Sequence, residues 1–506
     1  MAKTPFMNKV QTGRVPKSVH DLSHDVKLSC NMGVLVPTMN IDVVPSDKIK
    51  IGCESQLRLA PMIAPIMHRV NVYHHYYFVP FRVLWPNFEK FITNTPLVPG
   101  GDILPSFPTI DIDSVLPNGS LTDYLGIPPT SRSYSISAMH HAAYQFIYNE
   151  YYRSQDLQAE IPWELIDGDN SANADLFQIR NRGWERDLFT SCLPFTQKGP
   201  AVTIPLSTVH DVNVKVKPPG DFPTGLHIAD AIVPAEQAFV PADDPDVSLS
   251  SSLYAETSQL NASPTTINDL RKATRLQVFF EKLARGGSRF FEFIRTMFDT
   301  VSPDARLQRP EYIYGTSSPV MVSEVLNTTG TDDAPQGNMS GHGVAITNGA
   351  DGFYNVQEHG VIIGLMSIMP RTAYQDGIPK KFFKTVDPYQ YYIPDFDHLG
   401  EQPLLNKEIY AESATPDDTF GYLPNYYEYK FEGNRVAGQF RDSLDFWHMG
   451  RKFAAQPLLN ADFIESDPTL RIFAVTDPDI HHLWCHVYHT VRAIRPMSKY
   501  STPMLY

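Results

Sequence analysis

The residue types that most often do chemistry are present, but their spacing does not assemble a site. Histidines occur as adjacent pairs rather than at the i, i+4 spacing of a metalloprotease helix. The pairs are His74 with His75, His140 with His141, and His481 with His482. The first pair lies in a predicted strand, where neighbouring side chains point to opposite faces and do not share one metal ion.

The cysteines and the short motifs lead to the same conclusion. Four cysteines in 506 residues are too few and too scattered for a disulfide framework or a zinc knuckle. The sequence contains no Gly-x-Ser-x-Gly elbow, and no glycine-rich phosphate loop follows a strand. We therefore predict no catalytic, cofactor-binding or metal-binding residues.

Electrostatic contact with phosphate is the other chemistry that the residue types allow. The net charge is −14, yet residues 1–20 carry four basic side chains and residues 480–506 carry three, with no acidic residue in either segment. Such contacts would bind the phosphate groups of a nucleic acid without reading its sequence. Solvated basic termini are the competing interpretation, and charge alone does not decide. The candidate DNA-facing residues are Lys3, Lys9, Arg14, Lys17, Arg492, Arg495 and Lys499.

The longest helical pattern lies within residues 266–315. Apolar residues recur there at steps of three and four, which predicts an amphipathic helix. Gly286 and Gly287 are expected to end it, and Ser288 is placed to cap a second helix. Seven Lys and Arg residues against three acidic ones between residues 268 and 298 suit either a solvated helix face or a phosphate-facing patch.

The polar segment SPDARLQRPEY follows these helices and contains Asp304, Arg306 and Arg309. A guanidinium can make two hydrogen bonds to one carboxylate. We therefore predict a structural ion network, either where the helices join the β-core or at a subunit contact. An active-site role is the weaker alternative.

Most of the remaining chain has β-type patterns, and its 42 prolines favour short strands and loops over a helical bundle. We predict strands at residues 70–79, 354–370, 426–431, 471–475 and 483–494, and short helices at 85–94 and 137–152. Residues 207–265 and 327–352 are polar and are predicted to be exposed. Since no run of eighteen apolar residues and no signal-peptide core occur, folding in a cytoplasm is expected.

Several long blocks carry a family resemblance. They are INDLRKATRLQVFFEKLARGGSRFFEFI followed by TVSPDARLQRPEYIYG, then VNVYHHYYFVPFRVLWPNF, WERDLFTSCLPFTQKGPAVTIPL and LGEQPLLNKEIY. Together they resemble the major capsid proteins of the microviruses, in particular the gokushovirus-like branch. The pattern by itself predicts a mostly β chain with inserted helices; the resemblance implies an eight-stranded antiparallel viral jelly-roll barrel with long loop and helical insertions.

The resemblance and the patterns together give an expected domain organisation. Residues 1–27 would be an extended basic arm, and residues 28–506 a single jelly-roll domain. Within that domain, residues 207–265 would be an exposed surface insertion, 266–315 a helical insertion and junction, and 327–352 a surface loop.

The resemblance implies a structural protein of the virion rather than an enzyme. About sixty identical capsid subunits would close a T=1 icosahedral shell around a circular single-stranded DNA phage genome, after synthesis in the host bacterial cytoplasm. A small basic DNA-packaging protein and other virion proteins are implied partners. The insertions would contact the host-cell surface or neighbouring subunits.

Two other protein classes remain as alternatives. A β-sandwich carbohydrate-binding or hydrolytic protein would account for the acidity and the aromatic content, but it leaves the basic ends unexplained. A sequence-specific DNA binder is disfavoured by the net charge and by the lack of a reading-helix motif.

Overall fold

The computed structural model describes most of the chain. The described residues are 16–99, 101, 103–112, 117–203, 214–216, 253–255, 267–326, 328, 339–349 and 351–500. They fall into two units, Met1–Thr196 with Gly287–Tyr506, and Gln197–Gly286.

Strands dominate the first unit and also form one small pair in the second. In chain order they are β1 (Ser18–Asp21), β2 (His24–Cys30), β3 (Val36–Val43), β4 (Lys48–Leu59), β5 (Val70–Pro80), β6 (Thr109–Ile112), β7 (Tyr134–Ser137), β8 (Val214–Val216), β9 (Leu253–Ala255), β10 (Glu311–Pro319), β11 (Met321–Leu326), β12 (Met339–Asn348), β13 (Gly352–Asn355), β14 (Gly360–Pro370), β15 (Glu401–Leu405), β16 (Thr419–Pro424) and β17 (Leu483–Arg495).

The helices are shorter, apart from α5. They are α1 (Phe81–Leu84), α2 (Phe88–Ile92), α3 (Leu121–Tyr124), α4 (Met139–Ile147), α5 (Ile267–Gly286), α6 (Phe290–Phe298), α7 (Asn406–Ile409), α8 (Tyr427–Lys430) and α9 (Ala461–Ile464). A π-helical turn, Tyr148–Tyr152, continues α4.

One antiparallel sheet has β17 and β4 at its centre, and we call it the half-exposed sheet. β1 and β2 lie end to end along one side of β17, while β12 and β13 both pair with the far side of β4. β11 follows β12 at the edge. The second antiparallel sheet, the covered sheet, has the order β10-β5-β14-β3. In neither sheet do the described hydrogen-bond ladders close into a ring.

The two sheets share one hydrophobic core. Ile51 and Leu57 of β4 and Val487 of β17 belong to the same buried cluster as Phe78 of β5 and Ile362 of β14. Each of these strands contributes alternate residues, as the two-residue period of a strand requires. The prediction of a mostly β chain with inserted helices is therefore confirmed.

The other face of the covered sheet is also buried. Tyr77 of β5 and Ile363 of β14 pack in a second cluster with Ala143 and Tyr144 of α4. Every residue of β14 is buried in consequence. We call α1, α2, α4 and the loops that join them, together with the following π-helical turn, the covering layer.

Several predicted segments take a different form. Residues 18–27 of the expected arm form β1 and part of β2, because they pair along the edge of β17. Within the expected surface loop 327–352, Met339–Asn348 is strand β12, whose residues Ala345 and Thr347 are buried. Within 207–265, β8 pairs with the distant β9; most of that tract lies outside the described residues.

Two predicted strands are wrong. Residues 426–431 contain the short helix α8, and residues 471–475 form a turn. In the turn, the Arg471 guanidinium binds the backbone oxygens of Asp445 and Gly450 at 2.9 and 2.8 Å. Side-chain bonds of this kind replace the strand ladder there, and the period-two pattern did not reveal them.

Candidate nucleic-acid interface

The outward face of the half-exposed sheet, which we call the bare face, is exposed to solvent. Along β17, residues strictly alternate between buried and exposed positions over most of its length. The outward residues of β17 are Trp484, His486, Tyr488, Thr490, Arg492 and Ile494, and the exposed residues of β4 opposite them include Arg58, Gln56, Glu54 and Lys48. This face combines aromatic, basic and acidic groups on one side of a hydrogen-bonded sheet.

The first and the last described strands, β1 and β17, pair at one corner of this sheet. Ser18 of β1 is the register partner of Arg495 at the end of β17, and the Ser18 hydroxyl donates to the backbone oxygen of Met497. Lys17 immediately precedes β1. The strand register therefore brings Lys17 close to Arg492 and Arg495, which follow it in sequence by 475 and 478 residues.

Contacts within the subunit occupy part of this basic corner. Lys17 Nζ donates to the backbone oxygen of Ser46 at 2.9 Å. Arg495 Nε lies 3.1 Å from a carboxylate oxygen of Asp47, which is fully buried, and burial raises the pKa of Asp47 although Arg495 opposes that effect. Arg495 also donates to the backbone oxygen of Asp42 at 2.7 Å. Its guanidinium thus joins the chain end to the β3–β4 turn.

The remaining candidates differ in position. Arg492 is exposed and is the register partner of Asp21. Hydrogen bonds from Ser23 are the main cause that lowers the pKa of Asp21, and Arg492 adds to it. Lys499 lies with its ammonium 5.7 Å from the Tyr500 ring centroid. Lys3, Lys9 and Arg14 lie outside the described residues, and the DNA-facing role of the whole set stays a prediction.

The predicted ion network has a defined geometry around Arg309. Its Nε lies 3.0 Å from Glu150 and one terminal nitrogen lies 3.3 Å from Asp304. The guanidinium carbon is 3.9 Å from the centroid of Phe291 in α6, and Tyr151 donates to Asp304 at 3.1 Å. The network therefore joins α6 and the start of β10 to the covering layer.

Two other basic residues of this region are placed differently from each other. Arg306 is exposed. Arg289, from the basic cluster of residues 268–298, is instead largely buried and donates to the backbone oxygens of Asn149 and Arg153 at 3.0 and 2.9 Å. Burial lowers the pKa of Arg289. The cluster is thus not a uniform phosphate-facing patch.

Histidines occupy the core between the sheets. His74 bonds to Ser55 across the sandwich at 3.0 Å, and His489 bonds to Tyr76 and to the backbone oxygen of Thr38 at 3.1 and 3.0 Å. Burial lowers the pKa of His74 to about 4 and that of His489 to about 3, so both rings are neutral at pH 7. In the described part of the chain, no three His, Cys, Asp or Glu side chains are grouped to hold a metal ion.

Sequence reasoning missed two residues of these sites. Glu150 is the nearest carboxylate to Arg309, yet 159 residues separate the pair, and no local pattern links them. Trp484 was assigned to a strand without regard to its face. Alternation in LWCHVYHTVRAI does place Trp484 on the same side as His486 and Arg492, opposite the apolar residues, and that signal could have identified the bare face.

Comparison with known proteins gives one consistent result. The family model described as "Capsid protein (F protein)" matches residues 8–505. The chain is 32% identical to the capsid protein VP1 of Chlamydia phage 1, over 98% of this chain and 97% of the relative. It is 33% identical to capsid protein VP1 of Bdellovibrio phage phiMH2K, over 93% and 92%, and 30% identical to that of Spiroplasma virus 4, over 97% and 96%.

Proposed function

Because the chain belongs to the capsid protein (F protein) family and serves as a microvirus major capsid protein, we propose that about sixty copies close a T=1 shell around a circular single-stranded DNA genome. The family is structural, so the hydrolytic alternative is set aside. A phage capsid protein is located in the virion; synthesis in the host bacterial cytoplasm is part of the proposal. Among the described helices, none is long and apolar enough to cross a membrane.

We infer that the two sheets are the halves of a jelly roll. Taken in chain order, β2, β4, β12 and β17 lie in the half-exposed sheet, and β3, β5, β10 and β14 lie in the covered sheet. The chain passes repeatedly from one sheet to the other. The strand order is β2-β17-β4-β12 in the half-exposed sheet and β3-β14-β5-β10 in the covered sheet. These orders are those of eight strands wound as two Greek keys. A two-layered sandwich of this kind is suited to repeat in a closed shell.

The single observation that carries the orientation is the difference between the outer faces of the two sheets. Loops and helices cover one sheet, whereas the bare face of the other is exposed, and β1 and the end of β17, which lead to the two basic ends of the sequence, pair at one corner of that sheet. We therefore place the bare face toward the enclosed DNA and the covering layer toward the outside. Phosphate contacts from Arg492, Lys499 and the basic first twenty residues would be weak and independent of sequence.

Exposed apolar side chains supply the subunit contacts in this proposal. In α6 and just beyond it, Phe290, Phe298 and Val301 are 67%, 68% and 80% exposed. A second group lies within residues 382–399 and includes Phe382, Val386, Tyr389, Tyr391 and Leu399. Apolar patches of this kind mark protein contacts, and a closed shell would bury them against neighbouring copies.

The partners follow from charge and exposure. A chain of net charge −14 does not neutralise a genome by itself, so a small basic DNA-packaging protein is part of the proposal, with other virion proteins. Contact with the host-cell surface is assigned to the insertions, above all residues 207–265.

The test is particle formation by the full chain, alone and then with the packaging protein and single-stranded DNA. Analytical ultracentrifugation and negative-stain imaging should show uniform icosahedral particles of about sixty subunits. If no closed particles form under any of these conditions, the T=1 proposal is wrong. Cryo-electron microscopy of the particles would then show whether the bare face lies inside, and a bare face on the outer surface would overturn the assigned orientation.

A further inference from the structure

One end of the bare face differs from the rest in its chemistry. Trp484 of β17 is 49% exposed and lies between Ser29 of β2 and Arg58 of β4 in one cross-strand row. The next row along contains Lys27, His486 and Gln56. These side chains line a shallow depression of about 460 Å³, which we call the Trp484 depression.

The cations of this depression have no carboxylate partner among the described residues. Lys27 and Arg58 are both exposed, and in the described part of the chain neither has a carboxylate within ion-pair distance. At the other end of the same face, Lys50 forms an ion pair with Asp351 at 2.5 Å. Asp25, which is exposed on β2 two residues before Lys27, bonds to His486 at 2.8 Å.

The geometry also arranges the cations around the ring. Neighbouring strands are about 4.8 Å apart and alternate residues on a strand are about 6.6 Å apart. Arg58 therefore lies beside the indole on β4, while Lys27 lies on the opposite side, on β2 and one row along. An aromatic ring between two unpaired cations matches a nucleotide, which has a planar base between two phosphates.

We propose that the Trp484 depression is a binding subsite for one nucleotide of single-stranded DNA. The base stacks on the Trp484 indole, the flanking phosphates contact Arg58 and Lys27, and Gln56 hydrogen-bonds to the base edge. Every base has a stacking face, so the subsite takes any sequence. This inference rests on the proposed function, since it requires the bare face to meet the packaged DNA.

The experiment measures the affinity of the unassembled full chain for fluorescently labelled oligo(dT), and for an abasic strand of the same length. Trp484→Leu should weaken oligo(dT) binding about tenfold, as expected for the loss of one stacked base, and leave abasic binding unchanged. Trp484→Phe should bind nearly as the parent chain does. The double variant Lys27→Gln/Arg58→Gln should reduce the slope of log affinity against log salt by about 1.4.

Phe353→Leu is the matched control. Phe353 is also an exposed aromatic on the bare face and lies beside Lys50, but that lysine is paired with Asp351. Replacing Phe353 should not change the affinity of the chain for oligo(dT). Circular dichroism verifies that each variant is folded, and equal effects of Trp484→Leu and Phe353→Leu would overturn the subsite.

Particle assembly of the same variants separates this proposal from the proposed function. Shells that form normally from a Trp484→Leu chain with unchanged DNA affinity would overturn the subsite alone. Weakened oligo(dT) binding without any shell formation by the parent chain would overturn the T=1 proposal and support the subsite. Loss of assembly in Trp484→Leu with unchanged DNA affinity would make the depression a subunit contact, and the subsite wrong.

Discussion

The two sheets of this molecule share a core but face different surroundings. β14 of the covered sheet is buried throughout, whereas β17 of the half-exposed sheet alternates between buried and exposed residues. Their sequences differ accordingly: GVIIGLMSIMP is apolar almost without interruption, and LWCHVYHTVRAIR places a polar or amphipathic residue at nearly every second position. A strand buried on both faces needs the first pattern, and a strand with one solvent-exposed face needs the second.

This difference suits the two sheets to different roles in the proposed shell. The covered sheet is buried on both faces, by the shared core and by the covering layer, which suits its proposed place on the outer side of a shell. The half-exposed sheet leaves charged and aromatic side chains exposed on one face, which suits the proposed contact with single-stranded DNA. Four predictions test this division, in order of decreasing effect.

The largest effect is expected from removing a methyl-rich side chain under the covering layer. Ile363 of β14 is fully buried, whereas Ile346 of β12 is 72% exposed on the bare face. Ile363→Ala should lower the free energy of unfolding by about 4 kcal/mol, because it removes buried area and leaves a cavity. Ile346→Ala should change it by less than about 0.5 kcal/mol. Urea unfolding of the unassembled chain measures the change for each variant. Similar losses of stability in the two variants would contradict the difference in burial between the two sheets.

The shared core should respond to acid. Burial lowers the pKa of His74 to about 4, from an ordinary value of 6.5, so the unfolded chain binds more protons between about pH 4 and 6.5. The free energy of unfolding therefore falls as the pH is lowered through this window, by on the order of 2 kcal/mol for this residue, and is constant above it. The midpoint of urea unfolding, measured at a series of pH values from 7.5 to 4.5, reports this loss of stability.

Exposed His342 of β12 provides the comparison for this titration. His74→Gln should make the dependence on pH shallower by the share of this residue, while buried His489 keeps its own contribution. His342→Gln, at an exposed position, is the control substitution. A slope that is the same in His74→Gln and the parent would contradict the role of His74.

A smaller effect is expected where the ion network anchors α6 and β10 to the covering layer. Arg309→Met leaves Glu150 and Asp304 without their shared cation and should cost about 2 kcal/mol, less than a fully buried pair because both carboxylates are partly exposed. Arg306→Met, at an exposed position three residues away, should cost little. Thermal unfolding of the two variants tests this expectation. Equal unfolding temperatures would mean that the network positions α6 and β10 without stabilising the fold.

The smallest effect on stability is expected at the bare face. Arg492→Gln removes an exposed charge beside Asp21 and should change the free energy of unfolding by less than about 0.5 kcal/mol. In the oligo(dT) titration it should reduce the salt slope by about 0.7 if the guanidinium contacts one phosphate. An unchanged slope would exclude Arg492 from the DNA-facing set.

The sequence by itself determined the position and type of those strands and helices whose hydrophobic residues recur with a clear period. The aromatic, β-branched run of residues 70–79 is β5, and the alternating run 483–494 is β17. Gly287 ends α5 with a φ of +92°, a conformation that glycine adopts without a Cβ clash. The opposite orientations of His74 and His75 also follow from the strand period alone: His74 bonds to Ser55 and His75 to Tyr152.

Tertiary structure decided the features that depend on distant partners. Residues 426–431 have a strand-like composition, but Tyr426 has a φ of +57° and starts α8. Ser288 has the side chain of a helix cap, yet it bonds to Asp156, and the Glu292 carboxylate accepts the Arg289 N–H instead. Alternative caps and turns of this kind differ little in local free energy, so a contact with a residue distant in sequence determines which one forms.

The same division holds for the candidate sites. The basic ends, SPDARLQRPEY and the alternation of β17 are visible in the sequence, and together they indicate which residues carry charge and which face they share. Only the fold pairs Arg309 with Glu150 and Arg495 with Asp47, and places Arg58 and Lys27 beside Trp484 without an ion-pair partner among the described residues. The physical reason is that periodicity fixes a side chain's direction within its own element, whereas neutralisation of its charge depends on which other element packs against it.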